Sequence, residues 1–387
     1  MSESVEKRLL LLVDDDPENI QAVHAILKDQ YKIRVATNGS RALELAKTEP
    51  LPELILLDVM MPQMNGYQVC SYLKADPKTR DVPVVFLTGK TEVADETHGF
   101  EVGAVDYIHK PFSPPIVTAR VRTHLLLRDA RETVARQLVA INSELEMARE
   151  IQLSILPSET PHLRGVNIEA RYLPMSSVAG DFYDFLVLDE QHVGVLIADV
   201  SGHGLPSALI ASMLQTALAA QAAVADDPAK VLSGLNKALS GKFRSHYVTA
   251  AYLFLNLEAK TLNYAGAAHP PLLLWKSEAG RVDEIIENGL MLGPFPDSAY
   301  SNLSLQMDDG DRIVLVTDGI IEAKDASDQE FGLGRLREVV EAGHALPTGQ
   351  FADAVLHALS LWSHNAIGAN QSDDITLLAI DFKAHTP

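Results

Sequence analysis

The chain has a single cysteine, Cys70, among its 387 residues. A lone cysteine excludes a disulfide within the chain, and we expect it to be a buried structural residue rather than a nucleophile. No apolar run reaches the roughly 18 residues that a membrane-spanning helix requires. The N-terminal segment also lacks the apolar core of a secretory signal. These absences favour a soluble, cytoplasmic protein that does not associate with a membrane.

Basic residues are also scarce. The 32 Lys and Arg residues stand against 52 Asp and Glu, which gives a formal net charge of −20. Proteins that bind nucleic acid usually carry a basic patch, so this balance argues against a DNA-binding output. The excess of carboxylates suits divalent-metal and phosphate chemistry, although part of it serves only solubility. Hydrophobic residues make up 47% of the chain, enough for the cores of two or three domains.

A third absence divides the chain, because residues 116–156 contain neither glycine nor proline. We expect a long helical linker over residues 115–156, ended by Leu156-Pro157. Apolar residues recur there every seven positions in one heptad series. A second heptad series is interrupted by polar residues. The first series is Leu127, Val134, Ile141, Ala148 and Ile155; the second has Leu138 and Leu145 but also Arg131 and Gln152. The pattern favours an imperfect coiled coil and a homodimer; a single helix packed on its own domains is the alternative.

Short apolar runs alternate with amphipathic stretches in the first third of the chain. The runs predict strands at residues 9–13, 32–37, 54–58, 82–89 and 105–110. Strands that alternate with helices in this way predict a doubly wound α/β domain with a five-stranded parallel sheet. Asp16 followed by Pro17 is typical of a helix start. We place this domain at residues 1–125.

Chemically distinctive residues lie where these strands end. They are Asp14 and Asp15 after the first strand, Asp58 at the end of the third, Thr88 at the end of the fourth and Lys110 after the fifth. The carboxyl ends of parallel strands meet at one crevice, so these side chains should converge. Three converging carboxylates call for a hard cation such as Mg²⁺, and the lysine and threonine suit a phosphoryl group. A carboxylate beside Mg²⁺ can itself accept a phosphoryl group.

In this order the residues resemble the receiver domain of two-component response regulators. The resemblance assigns a Mg²⁺ site to Asp14, Asp15, Asp58 and the Met60 carbonyl. It makes Asp58 the phospho-acceptor and implies a histidine kinase or phosphotransfer protein as the partner. Thr88 and Lys110 would contact the phosphoryl group, and Tyr107, in DYIHKPF, would change rotamer on activation.

Residues 157–387 predict an α+β domain with two antiparallel sheets flanked by helices. Four aspartates stand where a strand meets a polar turn: Asp181 in AGDFYD, Asp199 in DVSGHG, Asp318 in VTDG and Asp373 in DDIT. One such aspartate is usually a turn residue, but four together indicate a shared site. Converging carboxylates suit hard divalent cations, whereas a zinc site would need a Cys or His cluster that this sequence lacks.

Together with REIQLSILP and FGLGRL, these segments resemble the metal-dependent PPM (PP2C-like) serine/threonine phosphatases, in particular the bacterial SpoIIE and RsbU type. The resemblance implies two Mn²⁺ or Mg²⁺ ions. Asp199 would bridge both ions, and the Val200 carbonyl would complete a coordination shell. Asp181 would ligate one ion, while Asp318 and Asp373 would bind the other.

Further candidate residues lie beside these segments. Asp374 is the alternative to Asp373 as a ligand. His203 is a candidate proton donor, although stabilising the turn is its favoured role, and His269 in AAHPPL is open to the same two interpretations. Gln152 lies near the end of the long helix, where we expect a rotation or register shift of that helix to reach the phosphatase domain.

The combined resemblance predicts a response regulator whose output is metal-dependent dephosphorylation of phosphoserine or phosphothreonine on a protein. Phosphorylation of Asp58 would control that output. By resemblance alone, the substrate would be an anti-sigma-factor antagonist of the STAS type. The alternative is an adaptor that binds a partner in a sigma-factor stress pathway without catalysis. The presence of all four carboxylates favours the enzyme.

Overall fold

The computed structural model describes residues 7–89, 93–243, 245–363, 371 and 373–383. The chain divides into two compact units, residues 1–140 and 141–387. Within the described ranges, no helix has both the length and the apolar composition needed to cross a membrane.

The first unit contains the predicted five-stranded parallel sheet, which confirms the doubly wound α/β fold. Its strands are β1 (Leu9–Val13), β2 (Lys32–Ala36), β3 (Leu54–Asp58), β4 (Val84–Thr88) and β5 (Asp106–His109). They lie in the order β2-β1-β3-β4-β5, and each of these pairings is parallel. The helices are α1 (Pro17–Leu27), α2 (Gly39–Ala46), α3 (Gly66–Ala75), α4 (Val93–Glu101) and α5 (Pro114–Ile155). Every residue of β1, β3 and β4 is buried, as expected for inner strands of a parallel sheet.

Capping residues fix the starts of the helices that follow β1 and β3. The Asp16 side chain accepts a hydrogen bond from the Glu18 N–H, and Pro17 occupies the first helical position, as the sequence predicts. Helix α3 begins with a reciprocal box, in which the side chains of Asn65 and Gln68 each accept from the other's backbone N–H. The turns between strand and helix are thereby held in place.

Helix α5 runs without interruption from Pro114 to Ile155 and confirms the predicted long helix. Six apolar side chains in its middle part are more than half exposed, and four of them belong to the predicted heptad positions: Leu127, Val134, Leu138 and Ile141. An exposed row of apolar side chains on a helix is typical of a surface that meets a partner. The coiled coil itself stays a prediction.

The second unit contains the two predicted sheets. Its strands are β6 (Val166–Leu173), β7 (Phe182–Val187), β8 (His192–Val200), β9 (Val248–Asn256), β10 (Thr261–Ala267), β11 (Leu272–Lys276), β12 (Arg281–Ile285), β13 (Asn288–Gly289), β14 (Leu303–Gln306), β15 (Arg312–Val316) and β16 (Ile375–Phe382). One sheet has the order β13-β10-β9-β8-β7 with β14 also paired to β10, and the other has the order β12-β11-β15-β16-β6. Pairing is antiparallel except between β10 and the two-residue strand β13.

Helices cover the outer face of each sheet. They are α6 (Leu205–Ala219), α7 (Pro228–Leu239), α8 (Asp318–Ile321), α9 (Gly332–Ala342) and α10 (Thr348–Ser363), with a short 3₁₀ helix at Ala222–Val224. Helices α6 and α7 pack on the first sheet through a cluster that includes Leu214 and Tyr252. Helices α9 and α10 pack on the second through Val355 and Leu377. A third cluster, with Leu253, fills the space between the sheets, so the unit is a four-layer sandwich.

Candidate functional sites

The first candidate site lies where β1, β3 and β5 end. One carboxylate oxygen from each of Asp14, Asp15 and Asp58 lies within 4.8 Å of the others. The Lys110 ammonium donates to Asp14 Oδ2 and to Asp58 Oδ1, both at 2.9 Å. The parallel sheet brings these residues together because each ends or follows a strand at the same edge.

Asp58 and Lys110 perturb each other's protonation. Burial raises the pKa of Asp58, the hydrogen bond from Lys110 lowers it, and the charge of Asp14 raises it again, with a net increase. Burial lowers the pKa of Lys110, but its hydrogen bonds to Asp58 and Asp14 outweigh burial, so that pKa is raised. A charged ammonium group is thus held beside Asp58, the carboxylate that the receiver resemblance predicts to be the phospho-acceptor.

The other predicted residues of the first site lie at or after the ends of β3 and β4 and within β5. Thr88 is the last residue of β4 and is buried. Met60 follows β3, and its side chain is exposed. Tyr107, in β5, is 4% exposed, and its ring centroid lies 5.5 Å from that of Phe86 and 5.3 Å from that of Phe100. The tyrosine ring therefore occupies an inward position in this structure.

The second candidate site lies at one end of the sandwich. The four predicted aspartates precede β7 (Asp181), lie near the end of β8 (Asp199), follow β15 (Asp318) and precede β16 (Asp373). Antiparallel pairing explains why they share an end, because β7 starts beside the end of β8 and β16 starts beside the end of β15.

Asp181 connects the two sheets at this end. It is 1% exposed, and its Oδ2 accepts from the hydroxyls of Thr317 at 2.7 Å and Thr376 at 2.6 Å. Burial raises the pKa of Asp181 well above its usual range, and the charge of Asp199 adds to the increase. Its Oδ1 has no hydrogen-bond partner among the described residues. A buried carboxylate oxygen without a partner is costly unless a cation binds it, so Asp181 fits a metal site.

Asp199 lies among like charges. Burial raises the pKa of Asp199 to about 8, and the charges of Asp318 and Asp373 contribute further. Burial and the charge of Asp373 raise the pKa of Asp318 to about 6. Carboxylates placed in this way favour either protonation or a bound cation, and Mg²⁺ and Mn²⁺ prefer such oxygen ligands. Among the described residues, the first site is the one place where oxygens of three carboxylates lie within 4.8 Å of one another. The carboxylates of the second site are therefore farther apart than those of the first.

The two neighbouring aspartates of DDIT have different surroundings. Asp374 Oδ1 accepts from the Met175 N–H at 2.7 Å, and its Oδ2 accepts from the Gly180 N–H at 2.6 Å. Asp374 therefore anchors the loop that precedes β7. Asp373 accepts from the Asp374 N–H at 2.8 Å, and its charge raises the pKa of Asp318 more than any other neighbouring charge does.

The DVSGHG segment forms the turn between β8 and α6. Gly202 and Gly204 have positive φ angles, 85° and 84°, which glycine adopts without steric cost. The Val200 N–H donates to the Gly180 carbonyl at 3.3 Å, so this turn lies beside the loop that precedes β7. The two glycine-containing segments thus meet at the carboxylate cluster.

The two candidate histidines differ in exposure. His203 is exposed in the turn. His269 is 2% exposed, its Nδ1 lies 3.2 Å from Thr249 Oγ1, and burial lowers the pKa of His269 to about 3. The Asn288 side chain accepts from the His269 N–H at 3.2 Å and donates to its carbonyl at 2.8 Å. His269 is thus a neutral, buried residue held by its neighbours, whereas a proton-donor role for His203 stays a prediction.

Gln152, near the end of α5, is attached to the same loop. Its Nε2 donates to the Ala179 carbonyl at 2.6 Å, and its Oε1 accepts from the Ala179 N–H at 2.9 Å. Both residues are buried. Because Ala179 lies two residues before Asp181, this helical turn is tied directly to the segment that carries Asp181.

Two threonines that contact Asp181 were not among the predicted site residues. Thr317 precedes Asp318 in VTDG, and Thr376 is the last residue of DDIT, so both stand inside the motifs. Their place inside those motifs is the sequence feature that could have identified them as site residues. A hydroxyl beside a ligand carboxylate is a common way to orient it.

Two family models match the chain. The model described as Stage II sporulation protein E (SpoIIE) matches residues 189–383, about half of the chain. The model described as Response regulator receiver domain matches residues 10–122.

Two similar proteins come from Bacillus subtilis (strain 168). The phosphoserine phosphatase RsbP is 31% identical over 245 residues, which cover 62% of this chain and 58% of RsbP. The phosphoserine phosphatase RsbU is 31% identical over 185 residues, which cover 48% of this chain and 55% of RsbU. The chain therefore spans less than two thirds of the length of either relative.

A solved structure resembles the second unit. The SiaA-PP2C domain of Pseudomonas aeruginosa matches with a TM-score of 0.58 at 24% identity, covering 64% of this chain and 100% of that domain. This likeness confirms the predicted PP2C-like fold.

Proposed function

Because the chain belongs to the stage II sporulation protein E (SpoIIE) family, we propose that it removes phosphate from phosphoserine or phosphothreonine on a protein, as the output of its receiver domain. The observation that carries the proposal is the gathering of Asp181, Asp199, Asp318 and Asp373 at one end of the sandwich. The similarity to RsbP and RsbU, both named phosphoserine phosphatases, supports a phosphoserine substrate.

We propose that these four carboxylates and the Val200 carbonyl hold two Mn²⁺ or Mg²⁺ ions. The unpartnered Oδ1 of Asp181 and the raised pKa of Asp199 support this assignment, because both indicate carboxylates without a counter-charge. When bound, such a metal pair supplies an activated water for in-line attack on a phosphate ester.

The protein's own part is to hold these ligands in position. Thr317 and Thr376 hold one oxygen of Asp181 and leave the other available. Asp374 holds the preceding loop through the Gly180 N–H. Loss of a group that orients a metal ligand in this way typically lowers metal affinity or activity by about 10–100-fold.

In the receiver domain we propose a Mg²⁺ site made by Asp14, Asp15, Asp58 and the Met60 carbonyl. An Asp58 carboxylate oxygen would attack the phosphorus of a phosphohistidine on a histidine kinase or phosphotransfer protein, and the P–N bond to the donor's imidazole would break. Lys110 lies 2.9 Å from that carboxylate and would pair with the transferred phosphoryl group.

We propose that phosphorylation moves Thr88 and Tyr107 and that α5 conveys the change. The two hydrogen bonds between Gln152 and Ala179 support this route, because they tie the helix to the loop carrying Asp181. The exposed apolar side chains of α5 support a homodimer formed through this helix. A rotation or shift of α5 would change the position of Asp181 relative to the other carboxylates, and thereby the metal site.

As the protein substrate we propose a phosphorylated anti-sigma-factor antagonist of the STAS type. This choice follows the resemblance to the SpoIIE and RsbU type.

The direct test is hydrolysis of an aryl phosphate and of a phosphoserine peptide by the whole chain, with Mn²⁺ or with a chelator. We expect activity that needs the metal and is abolished in Asp199→Asn. The matched control is Asp297→Asn, since Asp297 is an exposed aspartate outside the cluster. A wild-type protein that neither hydrolyses these substrates nor binds Mn²⁺ in calorimetry would contradict the enzyme and favour the adaptor.

A further inference from the structure

An open pocket of about 580 Å³ lies against the loop that precedes β7. Its lining consists of Arg149, near the end of α5, and residues 172–177, which are the last two residues of β6 and the start of the loop that follows. Ser176 and Ser177 contribute hydroxyl groups to this lining, and Ser176 is exposed. The pocket therefore combines a guanidinium group and two serines with the larger residues Tyr172, Leu173, Pro174 and Met175.

The wall of this pocket is also part of the support for the carboxylate cluster. The Met175 N–H donates to Asp374, the neighbour of Asp373, at 2.7 Å. The Tyr172 hydroxyl donates to the Asp181 carbonyl at 3.4 Å. A group bound in the pocket would thus contact the same segment that positions two of the proposed metal ligands.

Arg149 brings a positive charge to a strongly acidic region. Its ion pair with Glu146, one turn earlier in α5, is 3.7 Å long, and the two side chains are 42% and 59% exposed. An exposed pair at that separation is weak and is readily exchanged for another anion. Burial and the charge of Asp181 raise the pKa of Tyr172, and the positive charge of Arg149 opposes this increase. The Arg149 guanidinium group therefore acts electrostatically on Tyr172, which lines the pocket.

We propose that this pocket binds an acidic side chain of the protein substrate, close in sequence to the phosphorylated residue, with Arg149 as its partner. The inference rests on the proposed function and adds a specificity-determining residue to it. A planar guanidinium group can hold a carboxylate through two parallel hydrogen bonds. Arg149 is the charged residue among the described residues that line this pocket, so an acidic side chain paired with it would also fix the direction in which the substrate chain lies.

The position of Arg149 links substrate binding to control. Arg149 lies three residues before Gln152, so both side chains belong to the same turn of α5. A substrate that engages Arg149 therefore holds the turn that Gln152 attaches to Ala179. By linkage, a state of α5 that favours substrate binding is in turn favoured by the bound substrate.

The test uses the whole protein with Mn²⁺ and two phosphoserine peptides that differ only in their flanks, Glu in one and Gln in the other. We expect wild-type kcat/KM to favour the Glu peptide by about tenfold, mainly through KM. Arg149→Gln should bring the ratio of the two peptides close to one, and Arg149→Lys should keep part of it. Arg136→Gln, an exposed arginine of the same helix, is the matched control and should keep the full ratio.

Two results would overturn the pocket assignment: a wild-type protein without preference, or an Arg149→Gln variant that loses the same factor on both peptides. The second result would indicate a merely structural role for Arg149. If the wild type hydrolyses no substrate, the proposed function fails, and fluorescence anisotropy of the labelled peptides then tests the pocket assignment separately. Tighter binding of the Glu peptide that is lost in Arg149→Gln supports the assignment of the pocket to an acidic side chain. Equal binding of the two peptides, or no binding, rejects that assignment.

Discussion

A Cβ atom at Gly99 of α4 would overlap the hydroxyl group of Tyr107. The Tyr107 ring can lie inward, against Phe86 and Phe100, because residue 99 has no side chain. Tyr107 is the residue whose rotamer we propose to change on phosphorylation. Gly99 therefore determines whether the inward position is accessible.

Gly99→Ala should displace the Tyr107 ring. We expect a loss of about 1–3 kcal/mol in the free energy of unfolding of the receiver domain, the usual cost of overpacking. Urea unfolding measures it. The double variant Gly99→Ala/Tyr107→Phe, which lacks the overlapping hydroxyl, should recover part of the loss. Equal stability of Gly99→Ala and wild type would show that a side chain at residue 99 does not hinder the inward position of the Tyr107 ring.

Gln152→Ala removes both hydrogen bonds to Ala179 and leaves buried backbone groups unpaired. We expect a destabilisation of about 1–3 kcal/mol, together with weaker Mn²⁺ binding. Chemical unfolding and calorimetric Mn²⁺ titration measure the two effects. Gln137→Ala, at an exposed glutamine of the same helix, should change neither quantity. If Gln152→Ala binds Mn²⁺ as tightly as the wild type, the attachment of α5 to Ala179 does not affect the metal site.

Thr376→Val keeps the shape of the side chain but removes the hydroxyl that donates to Asp181. We expect Mn²⁺ affinity and phosphatase activity to fall by about 10–100-fold, the typical effect of losing a group that orients a metal ligand. Calorimetry and aryl phosphate hydrolysis measure both. Thr261→Val, at the start of β10, provides a β-strand threonine control that should leave both unchanged. Unaltered affinity in Thr376→Val would argue against Asp181 as a ligand.

The raised pKa values of the second site predict how stability changes with pH. The pKa of Asp199 in the folded protein is about 8, against roughly 3.9 in an unfolded chain, so the folded state holds this proton more tightly. Without metal, stability should therefore fall as the pH rises from about 4 to about 8. Thermal unfolding in chelator should show this fall, and Mn²⁺ should counteract it at the upper end. Asp199→Asn should flatten the profile, and a metal-free wild type that becomes more stable over this window would contradict the prediction.

The first site could be predicted closely because of its topology. Parallel strands place Asp14, Asp58 and Lys110 at one edge of the sheet whatever the details of packing. In the structure, Lys110 Nζ lies 2.9 Å from a carboxylate oxygen of each aspartate. The alternation of strands and helices was enough to predict that edge.

The contacts of the second site depend on long-range packing that a local pattern does not reveal. Thr317 and Thr376 meet at Asp181 only because β15 and β16 pair in the register that opposes Val316 to Leu377. The anchoring role of Asp374 likewise depends on a loop 194 residues away in sequence. The sequence predicted the aspartates as a set, but not which neighbours hold each one.

The most direct measurement is phosphatase activity of the whole chain, with Mn²⁺, before and after the receiver is loaded with beryllofluoride as a phosphoryl mimic. We expect the mimic to change kcat/KM in wild type, and to have no effect in Asp58→Asn or in a variant with a flexible Gly-Ser insertion near Ala140. Metal-dependent activity that the mimic leaves unchanged in wild type would contradict control of the phosphatase by Asp58 through α5.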